Sequence, residues 1–184
     1  AYLGSPRLAE MATGEKVTLE EMGGARMHCT KSGLGDVLVA DEDEAIAKLR
    51  DYLTFVPDRW DGEQQVHEPV APASDTPIED IVPARENLAF DMHQLIDALV
   101  DAGSWFPMKG LWAKELVTGF ARLGGRPVGI VANNSKFRGG VLFPDSSDKA
   151  ARFVWLCNAY GIPLLFLQDI SGFDIGPEAE KEGL

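Results

Sequence analysis

The amino-acid sequence predicts an α/β fold built on a parallel crossover unit. Residues 127–132 and 163–167 are continuous apolar runs, which is typical of strands buried on both faces of a parallel sheet. Between them, residues 146–160 carry the 3.6-residue apolar periodicity of a helix, and Gly161 ends it. Strand, helix and strand in this order form a crossover, which is almost always right-handed.

A β-hairpin is predicted immediately before the crossover unit. Residues 116–123 and 126–132 are apolar segments separated by Gly124 and Gly125. A two-residue Gly-Gly connection is a strong hairpin signal because both positions of the tight turn need positive φ. The first strand of the crossover is therefore also the second strand of the hairpin.

Three helix starts are marked by capping residues. Thr18 and Glu21 form a capping box, Asp41 or Asp43 can cap an amphipathic helix over residues 41–55, and Asp91 can cap another over residues 91–102. Residues 25–36 are predicted to be strand or turn, while the proline-rich, acidic stretch 58–85 is predicted to be an exposed linker and the best candidate domain boundary.

Composition excludes several classes of function. The net charge of −12 disfavours nonspecific binding to nucleic acid or anionic lipid, and no apolar run is long enough to span a bilayer. The two cysteines are expected to be buried thiols, and the three histidines lack metal-ligand spacing. No secretory signal is visible, although the chain does not begin with methionine, which fits either removal of a targeting segment or excision of a fragment.

The candidate site is a pair of glycine-containing loops, residues 133–140 and 169–176, which follow the two parallel strands. Ligands of open α/β sheets bind beyond the carboxyl ends of strands, and glycine lets backbone N–H groups approach an oxyanion. No nucleophile elbow, Walker loop or dinucleotide fingerprint occurs. His93 has no obvious carboxylate partner, and Lys149 and Arg152 are expected to be surface charges, with anion binding as the alternative.

Ten short blocks, in order, resemble the carboxyltransferase (β) subunit of biotin-dependent acyl-CoA carboxylases, the family of propionyl-, acetyl- and methylcrotonyl-CoA carboxylases. The blocks are TGEKVT (13–18), EMGGA (21–25), His28, SG (32–33), FDM (90–92), VTGFAR (117–122), GRPVGIVAN (125–133), GGVL (139–142), DKAARF (148–153) and DISGF (169–173). Together they cover essentially the whole chain but match only a middle portion of that subunit.

The resemblance implies a crotonase-like (ClpP/crotonase) superhelical fold containing parts of two related domains. Residues 1–57 would end the N-terminal domain, residues 58–88 would link the domains, and residues 89–184 would open the C-terminal domain. It also implies a hexamer, with active sites between subunits. Biotin, carried on a biotin carboxylase or biotin-carrier partner, would deliver a carboxyl group to the α-carbon of an acyl-CoA, with no metal in this chain.

The same resemblance assigns no catalytic residue to this chain. The glycine pairs that hold the acyl-CoA and biotin carbonyls in the family have no matching motif here, so the chain alone is predicted to be inactive. A pocket wall is expected instead, and the residues proposed for it are Gly139, Gly140, Gly172, Phe173 and Gly176. The alternative for these five is tight-turn glycines and a packed phenylalanine.

Two departures from the family pattern fall in the candidate loops. The family usually has proline where Ser171 stands, and often where Ser135 stands, so both loops are expected to be looser. Two other functions remain open: a crotonase-type hydratase or isomerase acting on acyl-CoA, and a non-catalytic assembly module. The acyl chain length is not predicted, and the expected location is the cytoplasm, or the mitochondrial matrix if a targeting segment has been removed.

Overall fold

The computed structural model describes residues 1–85 and 87–184. The helices in these residues are α1 (Pro6–Thr13), α2 (Leu19–Gly23), α3 (Ala25–Met27), α4 (Glu42–Leu53), α5 (Ile78–Ile81), α6 (Met92–Leu99), α7 (Pro144–Ala159) and α8 (Pro177–Glu182). The strands are β1 (Phe106–Met108), β2 (Leu116–Leu123), β3 (Arg126–Asn133) and β4 (Leu164–Leu167). His28–Ser32 form a π-helical turn and Arg138–Gly140 a 3₁₀ turn.

The strands form a single sheet in the order β1-β2-β3-β4. The β1/β2 and β2/β3 pairs are antiparallel, whereas β3 and β4 are parallel and joined through α7. The predicted hairpin and crossover are therefore both confirmed. Strand β1 was not predicted, because it is three residues long and contains Pro107, which leaves no periodic pattern to detect.

The hairpin turn has the backbone that its glycines predict. Gly124 and Gly125 have φ of +57° and +78°, a region that residues with a Cβ atom rarely adopt. Their N–H groups donate to the two carboxylate oxygens of Asp101, at 2.9 Å and 2.6 Å. The carboxylate of Asp101, which is not part of the hairpin, therefore satisfies both N–H groups of the turn.

The sheet separates two hydrophobic clusters because successive side chains point to opposite faces. On one face, Phe120 packs with Phe55 and with Phe153 of α7. On the other face, Ala121 and Ile130 pack with Ile96 of α6. Strands β2 and β3 are covered on both sides, which explains their nearly unbroken apolar sequence.

The helix starts follow the predicted caps. Thr18 and Glu21 make the reciprocal hydrogen bonds of a capping box, and Asp41 accepts from the Glu44 N–H at 2.9 Å. Helix α7 begins before the predicted Ser146 because Pro144 is compatible with the first helical position, and the Ser146 hydroxyl accepts from the Phe143 N–H at 2.7 Å.

The expectation of strand or turn for residues 25–36 is wrong for residues 25–32. These residues form α3 and the π-helical turn, which ends at Gly33 with φ of +64°. The physical reason is tertiary: the Trp112 ring lies against Gly33 so closely that a Cβ there would be 2.5 Å from it. The glycine thus serves helix termination and close packing, rather than a β-turn.

The described residues of the predicted linker contain one short helix, α5. Backbone hydrogen bonds attach this linker to the rest of the fold. The His67 N–H donates to the Gly125 carbonyl at 2.9 Å, and the Ala102 N–H donates to the Ala71 carbonyl at 3.3 Å. Phe55 packs against Phe120, so residues before and after the linker share one hydrophobic cluster. The division at residues 57 and 88 remains a prediction.

In the two described ranges, no helix combines the length and the apolar character needed to cross a membrane.

Lys149 contradicts its sequence-based expectation, because it is a buried cation and not a surface charge. Its side chain is 1% exposed, and its ammonium donates to the carbonyls of Trp112, Ala113 and Leu116 at 2.8, 3.1 and 2.6 Å. Helix α7 thereby holds the loop between β1 and β2. Burial lowers the pKa of Lys149 to about 8, although the nearby Glu115 carboxylate opposes the change.

We expect Lys149 to contribute stability that rises between pH values of about 8 and about 10.5. The effect is the difference between wild type and Lys149→Met, because the buried thiol of Cys157, whose pKa is raised to about 12, acts in the opposite direction in both proteins. In that interval the unfolded chain binds the proton of Lys149 more tightly than the folded chain, so raising the pH favours folding. This contribution should approach about 3.5 kcal/mol, at roughly 1.4 kcal/mol for each pKa unit. Urea unfolding across this interval measures it, with the wild type compared against Lys149→Met.

The matched control is Lys16→Met, because Lys16 is 82% exposed. Its pH profile should run parallel to that of the wild type, while the stability of Lys149→Met relative to the wild type should decrease as the pH rises. Parallel profiles for all three proteins would contradict the assignment of this pH dependence to Lys149.

Candidate functional site

The two loops predicted as the site lie side by side at the carboxyl ends of β3 and β4. The Leu142 N–H donates to the Gly172 carbonyl at 3.1 Å, and the Asp174 N–H donates to the Leu142 carbonyl at 2.8 Å. These bonds make a parallel bridge between Leu142 and Phe173. The Ser171 hydroxyl adds a third connection by donating to the Gly139 carbonyl at 2.7 Å.

Gly140 is the closest point between the two loops. A Cβ at this position would lie 2.6 Å from the Asp169 carbonyl oxygen, and φ is +67°. The Gly140 carbonyl accepts from the Asn133 amide at 2.9 Å inside the protein. Both the space and the backbone conformation therefore require glycine here.

One polar atom at this position has no protein partner among residues 1–85 and 87–184. The Oδ2 atom of Asp169 is buried and accepts no hydrogen bond. A buried acceptor without a donor is costly, and such atoms often contact a ligand or water. Asp169 is the first residue of the second loop, two positions after the end of β4, so its carboxylate belongs to the same candidate site.

The outer side of the second loop is apolar and exposed. Phe173 is 63% exposed and Ile175 is 89% exposed, although both side chains are large and hydrophobic. Adjacent exposed apolar residues mark a surface that contacts a ligand or another polypeptide. The site thus has a polar, tightly packed floor and an apolar rim.

The structure brings together four of the five predicted wall residues. Gly139, Gly140, Gly172 and Phe173 all take part in the contacts between the loops. Gly176 lies beyond these contacts, where it precedes α8 and its carbonyl accepts from the Glu180 N–H at 3.1 Å. Whether any of the five touches a ligand remains a prediction.

Ser171 and Ser135, the two serines that depart from the family pattern, each make a hydrogen bond between a loop and another segment. Ser171 bonds Gly139, and the Ser135 hydroxyl accepts from the Phe90 N–H at 3.2 Å. A proline in either place has no hydroxyl to make these bonds. The sequence predicted looser loops at these two positions because proline is absent, but each serine hydroxyl makes a hydrogen bond that proline could not make.

A second polar cluster, missed at the sequence level, lies beside the first loop. The Asp91 carboxylate contacts His93 Nδ1 at 2.8 Å, Lys136 Nζ at 3.2 Å and Asn134 Nδ2 at 3.4 Å. Burial alone would raise the pKa of Asp91, but the hydrogen bonds from His93 and Lys136 lower it to about 2. The expectation that His93 lacks a carboxylate partner is wrong, because the capping aspartate two residues earlier turns back to meet it.

The cysteines are buried free thiols, as expected. Burial raises the pKa of Cys157 to about 12 and also raises the pKa of Cys29, so neither is an activated nucleophile. The described parts of the chain contain no group of three His, Cys, Asp or Glu residues arranged to hold a metal ion.

Comparisons with known proteins agree over the full length of the chain. Residues 1–184 match the family model described as the carboxyl transferase domain. A Bacillus subtilis (strain 168) protein described as the uncharacterized carboxylase YngE is 55% identical over 184 residues, which are 100% of this chain and 36% of that protein. The mitochondrial methylcrotonoyl-CoA carboxylase β chain of Dictyostelium discoideum is 41% identical over 186 residues, covering 100% of this chain and 30% of that one.

A solved structure matches equally completely. The crystal structure of transcarboxylase 12S, described as a hexamer with methylmalonyl-coenzyme A and methylmalonic acid bound, aligns with a TM-score of 0.94 at 37% identity, over 100% of this chain and 36% of that chain. The present chain thus spans about a third of the length of these relatives.

The fold is therefore the crotonase-like α/β fold of carboxyltransferases. The chain belongs to the carboxyl transferase domain family of the biotin-dependent acyl-CoA carboxylases.

Proposed function

We propose that this chain forms part of the carboxyltransferase component of an acyl-CoA carboxylase. That component would move a carboxyl group from carboxybiotin to the α-carbon of an acyl-CoA. The observation that carries the proposal is the match of all residues of this chain to part of the methylcrotonoyl-CoA carboxylase β chain, combined with a glycine-lined site at the strand ends. Both loops of that site come from segments that resemble the family blocks.

The residues of the site fit biotin as one wall of its pocket. Biotin presents a ureido group with N–H donors on a largely apolar ring system. The buried Oδ2 of Asp169 supplies an acceptor without a protein donor in the described ranges, and exposed Phe173 supplies an apolar surface on the same loop. Asp169 would orient the ureido group through a hydrogen bond, and Phe173 would exclude water from the ring.

When bound, carboxybiotin supplies the carboxyl group that is transferred. The part played by this chain is then to position and enclose it. Gly139, Gly140, Gly172 and Gly176 would let the backbone approach closely, and the hydrogen bond between Ser171 and Gly139 would keep the two loops in register. No residue of the chain is proposed as the source of the oxyanion-binding N–H pairs.

Partners follow from the same proposal. A biotin carboxylase or biotin-carrier subunit would present the biotin, and copies of the carboxyltransferase would form a homo-oligomer. Residues 1–57 would belong to one domain, residues 58–88 to the linker and residues 89–184 to a second domain. The relatives act on or bind different acyl groups, so no acyl-CoA is singled out, and either cytoplasm or mitochondrial matrix would suit the protein.

Replacing Phe173 with alanine in the assembled carboxylase tests the proposal. We expect at least about a tenfold loss of kcat/KM for carboxyl transfer, because the apolar cover of biotin is removed. The assay follows avidin-sensitive incorporation of labelled bicarbonate into acyl-CoA. Phe166→Ala is the matched control, since Phe166 is similarly exposed, at 52%, but lies on β4 outside the loops.

Equal losses in the two variants would contradict the placement of biotin at Phe173. Avidin-insensitive activity of the wild type, or hydration of enoyl-CoA by it, would contradict the proposed function itself. The 184-residue polypeptide alone should not catalyse CoA-dependent decarboxylation of carboxybiotin, because it contains no motif that matches the two glycine pairs of the family. Circular dichroism of the same sample shows whether that polypeptide is folded.

A further inference from the structure

A separate cavity of about 220 Å³ lies beside the first loop. His93 of α6, Lys114 of the loop between β1 and β2, and Phe137 of the loop after β3 all line it. Three segments that are distant in the sequence therefore converge on one space. The biotin wall proposed above uses none of these three residues.

The His93 imidazole is held with one nitrogen occupied. Its Nδ1 atom contacts the Asp91 carboxylate at 2.8 Å, and its ring lies edge-on to Trp105 with centroids 6.4 Å apart. The Nδ1 atom must carry the hydrogen, because an ionised carboxylate only accepts. The Nε2 atom makes no hydrogen bond with the described part of the protein. It can accept from a ligand when the ring is neutral and donate to one when the ring is protonated on both nitrogens.

Lys114 supplies a cation that carboxylates do not neutralise. Its ammonium lies 5.7 Å from the centre of the Phe137 ring, a distance at which the ring face attracts a cation. No Asp or Glu of residues 1–85 or 87–184 lies within ion-pair distance of it. The charge of this exposed lysine is therefore left to solvent or to a ligand.

The remaining polar groups that line the cavity are already satisfied. Lys149 donates to three backbone carbonyls, and the Thr118 hydroxyl donates to the Met108 carbonyl at 2.9 Å. The Asp91 carboxylate is balanced by Lys136 at 3.2 Å and by its bonds to His93. What the cavity offers to a ligand is therefore the cation of Lys114 and the outer nitrogen of His93.

We propose that the cavity between His93 and Lys114 binds a phosphate group. Phosphate carries several strong acceptor oxygens and close to two negative charges at neutral pH, so it can accept from the Lys114 ammonium and from Nε2–H of the protonated His93 ring, which lie on different elements. The phosphate can be free inorganic phosphate or the terminal group of a phosphate monoester. The site is independent of carboxyl transfer, so its failure would leave the proposed function untouched.

The test follows the imidazole resonances of His93 and His67 in the full 184-residue chain while inorganic phosphate replaces chloride at constant ionic strength. We expect a saturable shift at His93 and none at His67, which is exposed and outside the cavity. Lys114→Gln should weaken the binding by at least about tenfold, because one charge-assisted contact is lost. Lys16→Gln is the matched control for charge and should bind as the wild type does.

Further arms separate the ligand classes. A phosphate monoester that binds as tightly as inorganic phosphate indicates a ligand carrying a terminal phosphate, whereas a monoester that does not bind indicates the free ion. Acetate binding as tightly as phosphate would overturn the assignment to phosphate. The proposal is also overturned if His93 and His67 shift alike, if His93 does not shift, or if folded Lys114→Gln binds as well as the wild type.

Discussion

Replacing Arg122 with methionine is expected to lower the free energy of unfolding by about 3 kcal/mol, at roughly 1 kcal/mol or more for each buried acceptor left without its donor. The Arg122 side chain is 5% exposed and donates to the carbonyls of Gln65, Gly125 and Thr54, at 2.8, 3.1 and 2.6 Å. Its guanidinium also lies 5.0 Å from the Phe55 ring centre. Methionine fills similar space but supplies no donor, and urea unfolding measures the loss.

Arg126→Met is the matched control, because Arg126 lies on the same hairpin with an exposed side chain. It should change stability by less than about 0.5 kcal/mol. The three carbonyls that Arg122 binds belong to the end of α4, the linker and the hairpin turn. Hydrogen exchange should therefore be faster in the linker of Arg122→Met, and an unchanged linker would contradict the proposed connection.

Replacing Gly125 with alanine is expected to destabilise the chain by about 3 kcal/mol. Backbone strain at positive φ contributes on the order of 1 kcal/mol, and the collision of the new methyl group adds the rest. A Cβ at this position would lie 1.9 Å from the His67 carbonyl oxygen and 2.8 Å from the His67 carbonyl carbon. Because these are backbone atoms, the linker must move away, and its hydrogen bond from His67 N–H to the Gly125 carbonyl is lost.

Gly124→Ala separates the two contributions. Gly124 also has positive φ, but a Cβ there would have no neighbour within 4 Å. It should therefore show the strain alone, about 1 kcal/mol. Thermal or urea unfolding of both variants measures the difference. Equal losses of unfolding free energy would contradict a close contact between the linker and the turn at Gly125.

The local elements were predictable because their signals are short-range. The Gly-Gly turn, the apolar runs and the caps at Thr18, Asp41 and Asp91 each specify backbone geometry within a few residues, and all are found. Strand β1 and the helical structure of residues 25–32 escaped prediction. Their conformation depends on pairing with β2 and on packing against Trp112, which are contacts distant in sequence.

The adjacency of the two candidate loops was predictable, but the contacts between them were not. A parallel crossover places the loops after β3 and β4 at one edge of the sheet, so their adjacency follows from the strand order. The buried acceptor of Asp169 and the bond between Ser171 and Gly139 do not follow, because they depend on side-chain directions after the loops have packed. The carboxylate partner of His93 was missed although it lies only two residues away.

The sequence by itself determined the α/β class, the hairpin, the crossover and the resemblance to carboxyltransferases, since periodicity, turn residues and ordered motifs are written along the chain. Only the tertiary structure decided which charges are buried. Lys149 and Arg122 carry the same charge as exposed residues, but each finds three backbone carbonyls that face inward. A cation can leave water only where such acceptors converge, and that convergence comes from segments the fold brings together.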